Sequence, residues 1–257
     1  MKRSTDLISL AGSGATSTLR FEQPERRNAL SVEVLEAFIA ALKEVAGDDQ
    51  GAILRLEGAW TAFCAGIDLD AGREDPAILE RLLELLSDSM RLIRAMPRVV
   101  VAQVQGAAIA GGCALLSACD FTCGEPGTKV GYPVTRVGLS AAVSVPTLTG
   151  SIATGSMRSL LLEGSVIDAR SARRIGVLTH LADSVEALPS MVDALCAQLA
   201  RNEPAAMLRT KAWLNELDGT TDARLHEVAL GHSLESGRTE EARRMLEQNW
   251  ARKGTKQ

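Results

Sequence analysis

Histidine and aromatic residues are scarce in this sequence. Its 257 residues include three histidines, one tyrosine and only 3% aromatics in all. The histidines are His180, His226 and His232. So few imidazoles narrow the scope for histidine-based proton transfer or metal ligation. A core short of rings must close by small-residue packing, which the many alanines and leucines supply. Neither sign of charge dominates: 28 Lys and Arg face 32 Asp and Glu, for a formal net charge of −4. No nucleic acid or anionic membrane is therefore expected as a general partner, and an anionic ligand would need a local basic patch. The sequence has no apolar run of the roughly 18 residues that a membrane span requires. The stretch Met1 to Leu10 carries Lys2, Arg3 and Asp6 and does not read as a signal peptide. The five cysteines, Cys64, Cys113, Cys119, Cys123 and Cys196, are odd in number. The reading is a cytoplasmic protein with reduced thiols. Cys119 and Cys123 lack a second pair at zinc spacing, so buried thiols and no metal are expected.

What is present is an ordinary globular composition, 46% hydrophobic and 23% charged, enough for a large core. Residues 5–22 read as a hairpin turning at Gly12-Ser13-Gly14. A polar loop follows from Gln23 to Asn28, with Arg26 and Arg27. Ser31 is placed to N-cap a helix in which Leu35, Phe38, Ile39, Leu42 and Val45 recur at helical spacing. Gly47-Asp48-Asp49 ends it. Ala52 to Leu56 and Val99 to Val104 read as buried strands. Between them, residues 76–95 are helical by pattern, with Pro76 near the start and Pro97 as the stop. Cys113 to Cys119 reads as a further helix. Strand and helix alternate over this half, which favours an α/β layer fold with parallel strands. After about residue 150 the strand signal fades. Residues 156–163, 169–175, 184–201, 204–217, 221–235 and 238–251 read as helices.

Two loops stand out because each follows an apolar strand and is rich in small residues. They are Ala62-Phe63-Cys64-Ala65-Gly66-Ile67-Asp68-Leu69 and Gly106-Ala107-Ala108-Ile109-Ala110-Gly111-Gly112-Cys113. Glycine lets a ligand approach the backbone closely. A strand–Gly loop–helix arrangement also aims free N–H groups at an oxygen with negative character. Two such loops side by side would make an oxyanion hole. Taken alone, tight packing explains the same glycines. Neither loop has the spacing of a dinucleotide or P-loop fingerprint.

The series Gln23-Pro-Glu-Arg-Arg-Asn-Ala-Leu-Ser31, Phe63-Cys-Ala-Gly-Ile-Asp-Leu69 and Gly106-x4-Gly111-Gly-Cys-x5-Cys119-Asp120 resembles the crotonase, or enoyl-CoA hydratase/isomerase, superfamily. Gly131-Tyr-Pro133, Arg136-Val-Gly-Leu139, and Ile167 to Ala172 with Ile175 to Leu178 extend the likeness over roughly residues 7 to 183. The resemblance implies an α/β fold of repeated ββα units in a spiral core, here 1–195, with a helical C-terminal trimerisation region, here 196–257. It implies a homotrimer or a hexamer built as a dimer of trimers. It implies an acyl-CoA thioester as ligand, CoA being part of the substrate and not a separate cofactor. Carried over position by position, the backbone N–H groups of Ile67 and Gly111 are the oxyanion donors. Arg27 and Ala29 match the loop along the CoA nucleotide, and Ala65, Asp68 and Leu69 match the stretch bordering adenine and pantetheine. Asp68 also reads as a cap for the helix after the first loop. Arg26 reads as either a phosphate contact or a solvated side chain. Arg252 and Lys253 could reach a neighbouring subunit's CoA.

The pattern breaks at the acids. Hydratases of the family use two glutamates; those places are Ala114 and Val134 here. A third acidic position, used by some relatives, falls at about Ala142. Methyl groups transfer no protons, and loss of one general acid or base costs about 10²–10⁴-fold. Ala114, Tyr132, Pro133 and Val134 are then expected to line a dry, apolar acyl pocket, with Tyr132 as packing. Cys64 and Cys113 read as inert buried thiols, and His226 and His232 as surface residues. Three readings follow: an atypical lyase or isomerase working through an enolate; a catalytically silent acyl-CoA binder or partner of an active paralogue; and a thioester hydrolase or decarboxylase.

Overall fold

The computed structural model describes residues 2–4, 6–48, 51–70 and 75–254. Its framework is one seven-stranded sheet and one three-stranded sheet. In the large sheet, β1 (Lys2–Ser4), β2 (Ile8–Ser13) and β3 (Thr16–Phe21) pair antiparallel. β3 then runs parallel to β4 (Ile53–Gly58), β4 to β5 (Val99–Val104), β5 to β7 (Phe121–Gly124) and β7 to β10 (His180–Leu181). The small sheet joins β6 (Ala107–Ile109), β8 (Lys129–Gly131) and β9 (Val166–Asp168). The consecutive pairs β5–β6 and β7–β8 each send one strand to the large sheet and the next to the small one. This is the α/β spiral of ββα units that the motifs imply.

The helices bury both faces of the large sheet. α1 (Val32–Ala46) and α2 (Pro76–Arg94) pack on one face, with Leu54, Leu56, Val100, Ala102 and Val104 turned toward them. Ile53, Val99 and Val101 point the other way, toward Leu188, Val192 and Leu199 of α7 (Ala187–Leu199). This is the period-two alternation of a strand buried on both sides. Ser31 caps α1 as expected, its hydroxyl accepting from Val34 N.

The shorter helices α4 (Val145–Thr149), α5 (Thr154–Leu162) and α6 (Ala169–Ile175) precede α7. The C-terminal region is helical: α8 (Pro204–Asp218), α9 (Ala223–Gly237) and α10 (Glu240–Gly254) follow α7. Position 195 lies inside α7. α8 is held to the sheet by polar contacts, Lys211 Nζ donating to Arg98 O at 2.8 Å and to Asp120 Oδ2 at 2.7 Å. α9 and α10 fold back over α2 and over the 3-10 turn Pro133–Val137.

Several expectations are corrected. The hairpin turn is Gly14-Ala15, two residues later than Gly12-Ser13-Gly14, because β2 keeps its ladder with β3 through Ser13↔Thr16. The 106–112 loop contains β6. The strands do not end near residue 150: β9 and β10 follow, and β7 and β8 precede them unforeseen. Each has two to four residues, too few for alternation to show. His226 is buried at 2% exposure, its Nε2 2.9 Å from Thr220 O, whereas His232 is exposed. Asp49 and the side chains of Arg252 and Lys253 lie outside the described residues.

Candidate active site

The site lies beyond the carboxyl ends of β3, β4 and β5, where three segments are laced together by backbone hydrogen bonds. Residues 23–30 come first. A 3-10 turn, Pro24–Arg26, is followed by Arg27 and Asn28 with positive φ of 51° and 54°. Asn28 is fully buried and uses its whole amide. Its Oδ1 accepts from Gln23 N at 2.9 Å, and its Nδ2 donates to Ala62 O at 2.8 Å and Ala59 O at 3.2 Å. It therefore fixes the first segment against the loop leaving β4.

That loop is held on both sides. Ala65 N donates to Arg27 O, Leu30 N to Gly66 O, and Asp68 N to Leu30 O. On the other side Cys64 N donates to Ala107 O, and Ile109 N to Cys64 O. Successive N–H groups of an extended chain point to opposite sides. With Asp68 N turned to Leu30, Ile67 N turns the other way, toward Gly111. A Cβ built on Gly111 would stand 3.2 Å from Ile67 N. Neither Ile67 N–H nor Gly111 N–H has an acceptor among the described residues.

Two features create this approach. Gly66 has φ of +100°, and a Cβ there would lie 2.7 Å from Ile109 O, so only glycine lets the loops meet. Ala110, just before α3 (Gly111–Ala118), has φ 50° and ψ −110°, a sparsely populated conformation for alanine. Such a residue costs about 1–3 kcal/mol and persists only where its surroundings enforce it. Here Ala110 N donates to Gly131 O at 2.8 Å. Gly111 is thereby the first residue of a wholly buried helix, whose N-terminal dipole adds to the positive character of its free N–H.

The other expected residues are placed as follows. Arg27 is exposed; Ala29, Ala65 and Leu69 are half-buried around the laced segments. Asp68 does not cap α2. That helix begins eight residues later with Asp75 as N-cap and Pro76 at its first position. Asp68 Oδ2 instead receives Arg26 Nη2 at 2.5 Å, and its Oδ1 accepts from Asp70 N. Arg26 is thus an ion-pair partner that ties the first segment to the second.

No acid stands at positions 114, 134 or 142. Ala114 is 1% exposed, inside the main core, and its methyl group transfers no proton. Val134 packs against both the main core and a second apolar cluster of Leu79, Leu83, Leu139 and Leu246. Ile67 and Leu69 pack on that same cluster. Ala142 starts a 3-10 turn, its N–H held by Ser140 Oγ. Pro133 opens the turn that carries Val134. Tyr132 is 1% exposed; its hydroxyl forms no well-aligned hydrogen bond, although Cys113, Ser144 and Ser117 surround it. Burial raises the pKa of this phenol well above the usual value. The Cys64 and Cys113 thiols are likewise pushed up to about 12 by burial, which makes them inert as nucleophiles. Among the described residues no group of three His, Cys, Asp or Glu could hold a metal.

The sequence did not point to Asn28, to Ala110 or to the second apolar cluster. An asparagine beside an arginine-rich turn is the signal for the first, since asparagine tolerates positive φ. The other two depend on distant packing.

Known proteins resemble this chain in sequence and in fold. A family model described as enoyl-CoA hydratase/isomerase matches residues 12–245. A Thermus thermophilus protein provisionally named an enoyl-CoA hydratase is 32% identical over 217 residues, 80% of this chain and 83% of its own. The crotonyl-CoA hydratase of Syntrophomonas wolfei is 30% identical, covering 78% of each chain. The crystal structure of an enoyl-CoA hydratase from Mycobacterium avium superposes with a TM-score of 0.83 at 25% identity, over 97% of this chain and 98% of the other.

Proposed function

The chain belongs to the enoyl-CoA hydratase/isomerase family, and from that premise we propose that it binds an acyl-CoA thioester and polarises its carbonyl between Ile67 N–H and Gly111 N–H. The observation that carries this reading is the convergence of two unbonded backbone N–H groups, with Ile67 N 3.2 Å from where a Gly111 Cβ would stand. An acceptor oxygen entering that space meets donors already in place, at the end of a helix. One such donor is worth about 10²–10³ in rate where charge develops on the oxygen. The polarised thioester is acidified at the adjoining carbon, so an enolate is the intermediate this site stabilises. Arg27, Ala29, Ala65, Asp68 and Leu69 border the CoA portion, with Arg27 the exposed cation available to a phosphate. Ala114, Tyr132, Pro133 and Val134 form the apolar side facing the acyl group. No cofactor beyond CoA is invoked.

Proton transfer is where the site departs from its family. Alanine at 114 and valine at 134 move no proton, so the chain is an atypical lyase or isomerase with little hydratase activity. The experiment is direct: mix the protein with crotonyl-CoA and follow the enone absorbance. Little or no loss is expected from the unmodified protein. The double variant Ala114→Glu, Val134→Glu should raise the rate by about 10²-fold or more. Rapid hydration by the unmodified protein would overturn the claim that carboxylates at these positions are required.

The same alanine and valine favour a second reading, a catalytically silent acyl-CoA-binding protein or partner of an active paralogue. Turnover of any member of a broad acyl-CoA panel, lost on altering one pocket residue, decides against it. Hydrolysis or decarboxylation, which need fewer protein acids, would appear in the same panel.

For assembly we propose a homotrimer, free or paired into a hexamer, in the cytoplasm. α8 supports this: Trp213, Leu214 and Leu217 are more than half exposed, and Leu225 and Val228 of α9 are about half exposed. Apolar surface on adjoining helices fits a subunit contact.

A further inference from the structure

We propose that Trp60 is a stacking platform for the adenine base of the CoA ligand. The inference deepens the acyl-CoA reading above and rests on it. Trp60 lies in the loop that leaves β4, and two of its properties stand apart. Its side chain is 76% exposed, the highest value among the large apolar residues described. Its φ is +61°, a region that a bulky side chain rarely enters. A side chain so exposed gains little from packing in the core, so the fold alone does not account for a tryptophan here. Backbone outliers of this kind gather at functional sites and ligand clamps.

The backbone around the indole is fastened. Ala59 N donates to Phe21 O at 2.8 Å. Gln105 Nε2 donates to Trp60 O at 3.1 Å and also to Gly58 O. A Cβ on Gly106 would collide with Thr61 O, so the second glycine loop closes directly on the residue after Trp60. The two carbonyls that Asn28 Nδ2 holds, those of Ala59 and Ala62, flank Trp60 and Thr61. Asn28 thereby ties the Trp60 loop to the segment that carries Arg27. Arg27 is exposed and makes no ion pair among the described residues, whereas the neighbouring Arg26 is taken by Asp68. A rigid, open ring face on a loop tied to a free cation suits a ligand with an aromatic base and phosphates. The nucleotide end of CoA presents both. Stacking on a ring needs no base-specific hydrogen bond, only a face held in place. Trp60 is thus a binding residue for the nucleotide end and takes no part in polarising the carbonyl.

The test is binding of acetyl-CoA to the full-length protein, followed by calorimetry and by tryptophan emission. Trp60→Asn removes the ring and places at this φ a residue that tolerates it. It should lower acetyl-CoA affinity at least about fivefold without lowering the thermal midpoint. Trp60→Phe keeps a ring and should retain most of the affinity. An indole stacked on adenine should lose emission when acetyl-CoA binds. That loss should vanish in Trp60→Phe, in which Trp213 and Trp250 remain. Unchanged affinity in Trp60→Asn overturns the stacking assignment alone. So does an equal emission change in the unmodified protein and Trp60→Phe. A loss of affinity accompanied by a lowered midpoint does the same, because it gives the indole a structural role. Failure of the unmodified protein to bind acetyl-CoA overturns the underlying acyl-CoA reading instead.

Discussion

Asn28 shows how one buried side chain can hold two segments of a candidate site together. Its amide joins three backbone groups in two segments while fully buried. Asn28→Ala leaves the part-buried Gln23 N–H and the buried carbonyls of Ala59 and Ala62 without this partner. Each such loss costs about 1–3 kcal/mol, so a drop of at least about 2 kcal/mol is expected in urea unfolding. Asn28→Asp keeps the acceptor for Gln23 N but loses both donations, and should be destabilised to a similar extent. Gly66 acts through its absence of a side chain. At φ +100° and with Ile109 O in the way, Gly66→Ala should cost about 2 kcal/mol or more, read from the same unfolding curves. The proposed donors, Ile67 and Gly111, stand at motif positions that the family resemblance assigns residue by residue. The lacing that turns Ile67 N away from Leu30 was not legible, since it depends on hydrogen bonds between segments more than 30 residues apart. Asp68 is the counterexample: an aspartate after a glycine loop reads as a cap, but Asp75 and Pro76 give α2 a better start.

At the scale of elements, long helices were legible and short strands were not. α1 and α2 carry a helical stripe of leucines between a cap and a stop, so their limits follow from local chemistry. β7 to β10 are held by neighbours in the sheet and have no pattern of their own. The C-terminal helices were legible as helices, but what fastens them was hidden. α8 turns inward Lys211 and Asn215. Lys211 is 8% exposed and paired with Asp120. Removing one member of a buried pair strands the other charge, so Lys211→Met should destabilise the protein by about 3 kcal/mol, seen as a lower urea midpoint. Desolvation by burial lowers the Lys211 pKa, so its contribution to stability grows as pH rises toward the usual lysine value of 10.5. His226 of α9 behaves alike at lower pH. Burial, with Arg91 and Arg94 nearby, depresses its pKa below 6.5 against the opposing pull of Thr220 O and Asp222. The unfolded chain then binds the proton more readily than the folded one. Stability should fall as pH drops from 6.5 toward the depressed value, and His226→Gln should flatten that slope in thermal unfolding scans. A slope unchanged by the substitution would assign the effect to His180, whose pKa burial also lowers.

At the scale of the molecule, the spiral brings together parts of the chain that no local pattern connects. Residues 23–30, 64–69 and 106–113 meet beyond the carboxyl ends of the parallel strands, and α10 returns from the far end of the sequence to pack on the turn Pro133–Val137. The assembly has its own test: light scattering should give three or six times the 27.3 kDa of one chain. Leu217→Glu on the exposed face of α8 should shift the mass toward the monomer. Polarisation of a thioester carbonyl by two backbone donors, with no acid at positions 114, 134 or 142, has a direct optical measurement. Cinnamoyl-CoA carries a chromophore conjugated to the thioester carbonyl, and strong hydrogen bonds to that oxygen move its absorption to longer wavelength. Bound to the unmodified protein, it should show this shift with no loss of the double bond. Gly111→Ala, whose methyl would stand 3.2 Å from Ile67 N, should abolish the shift. Binding without a shift, or an equal shift in Gly111→Ala, would contradict the assignment of Ile67 and Gly111 as the donors.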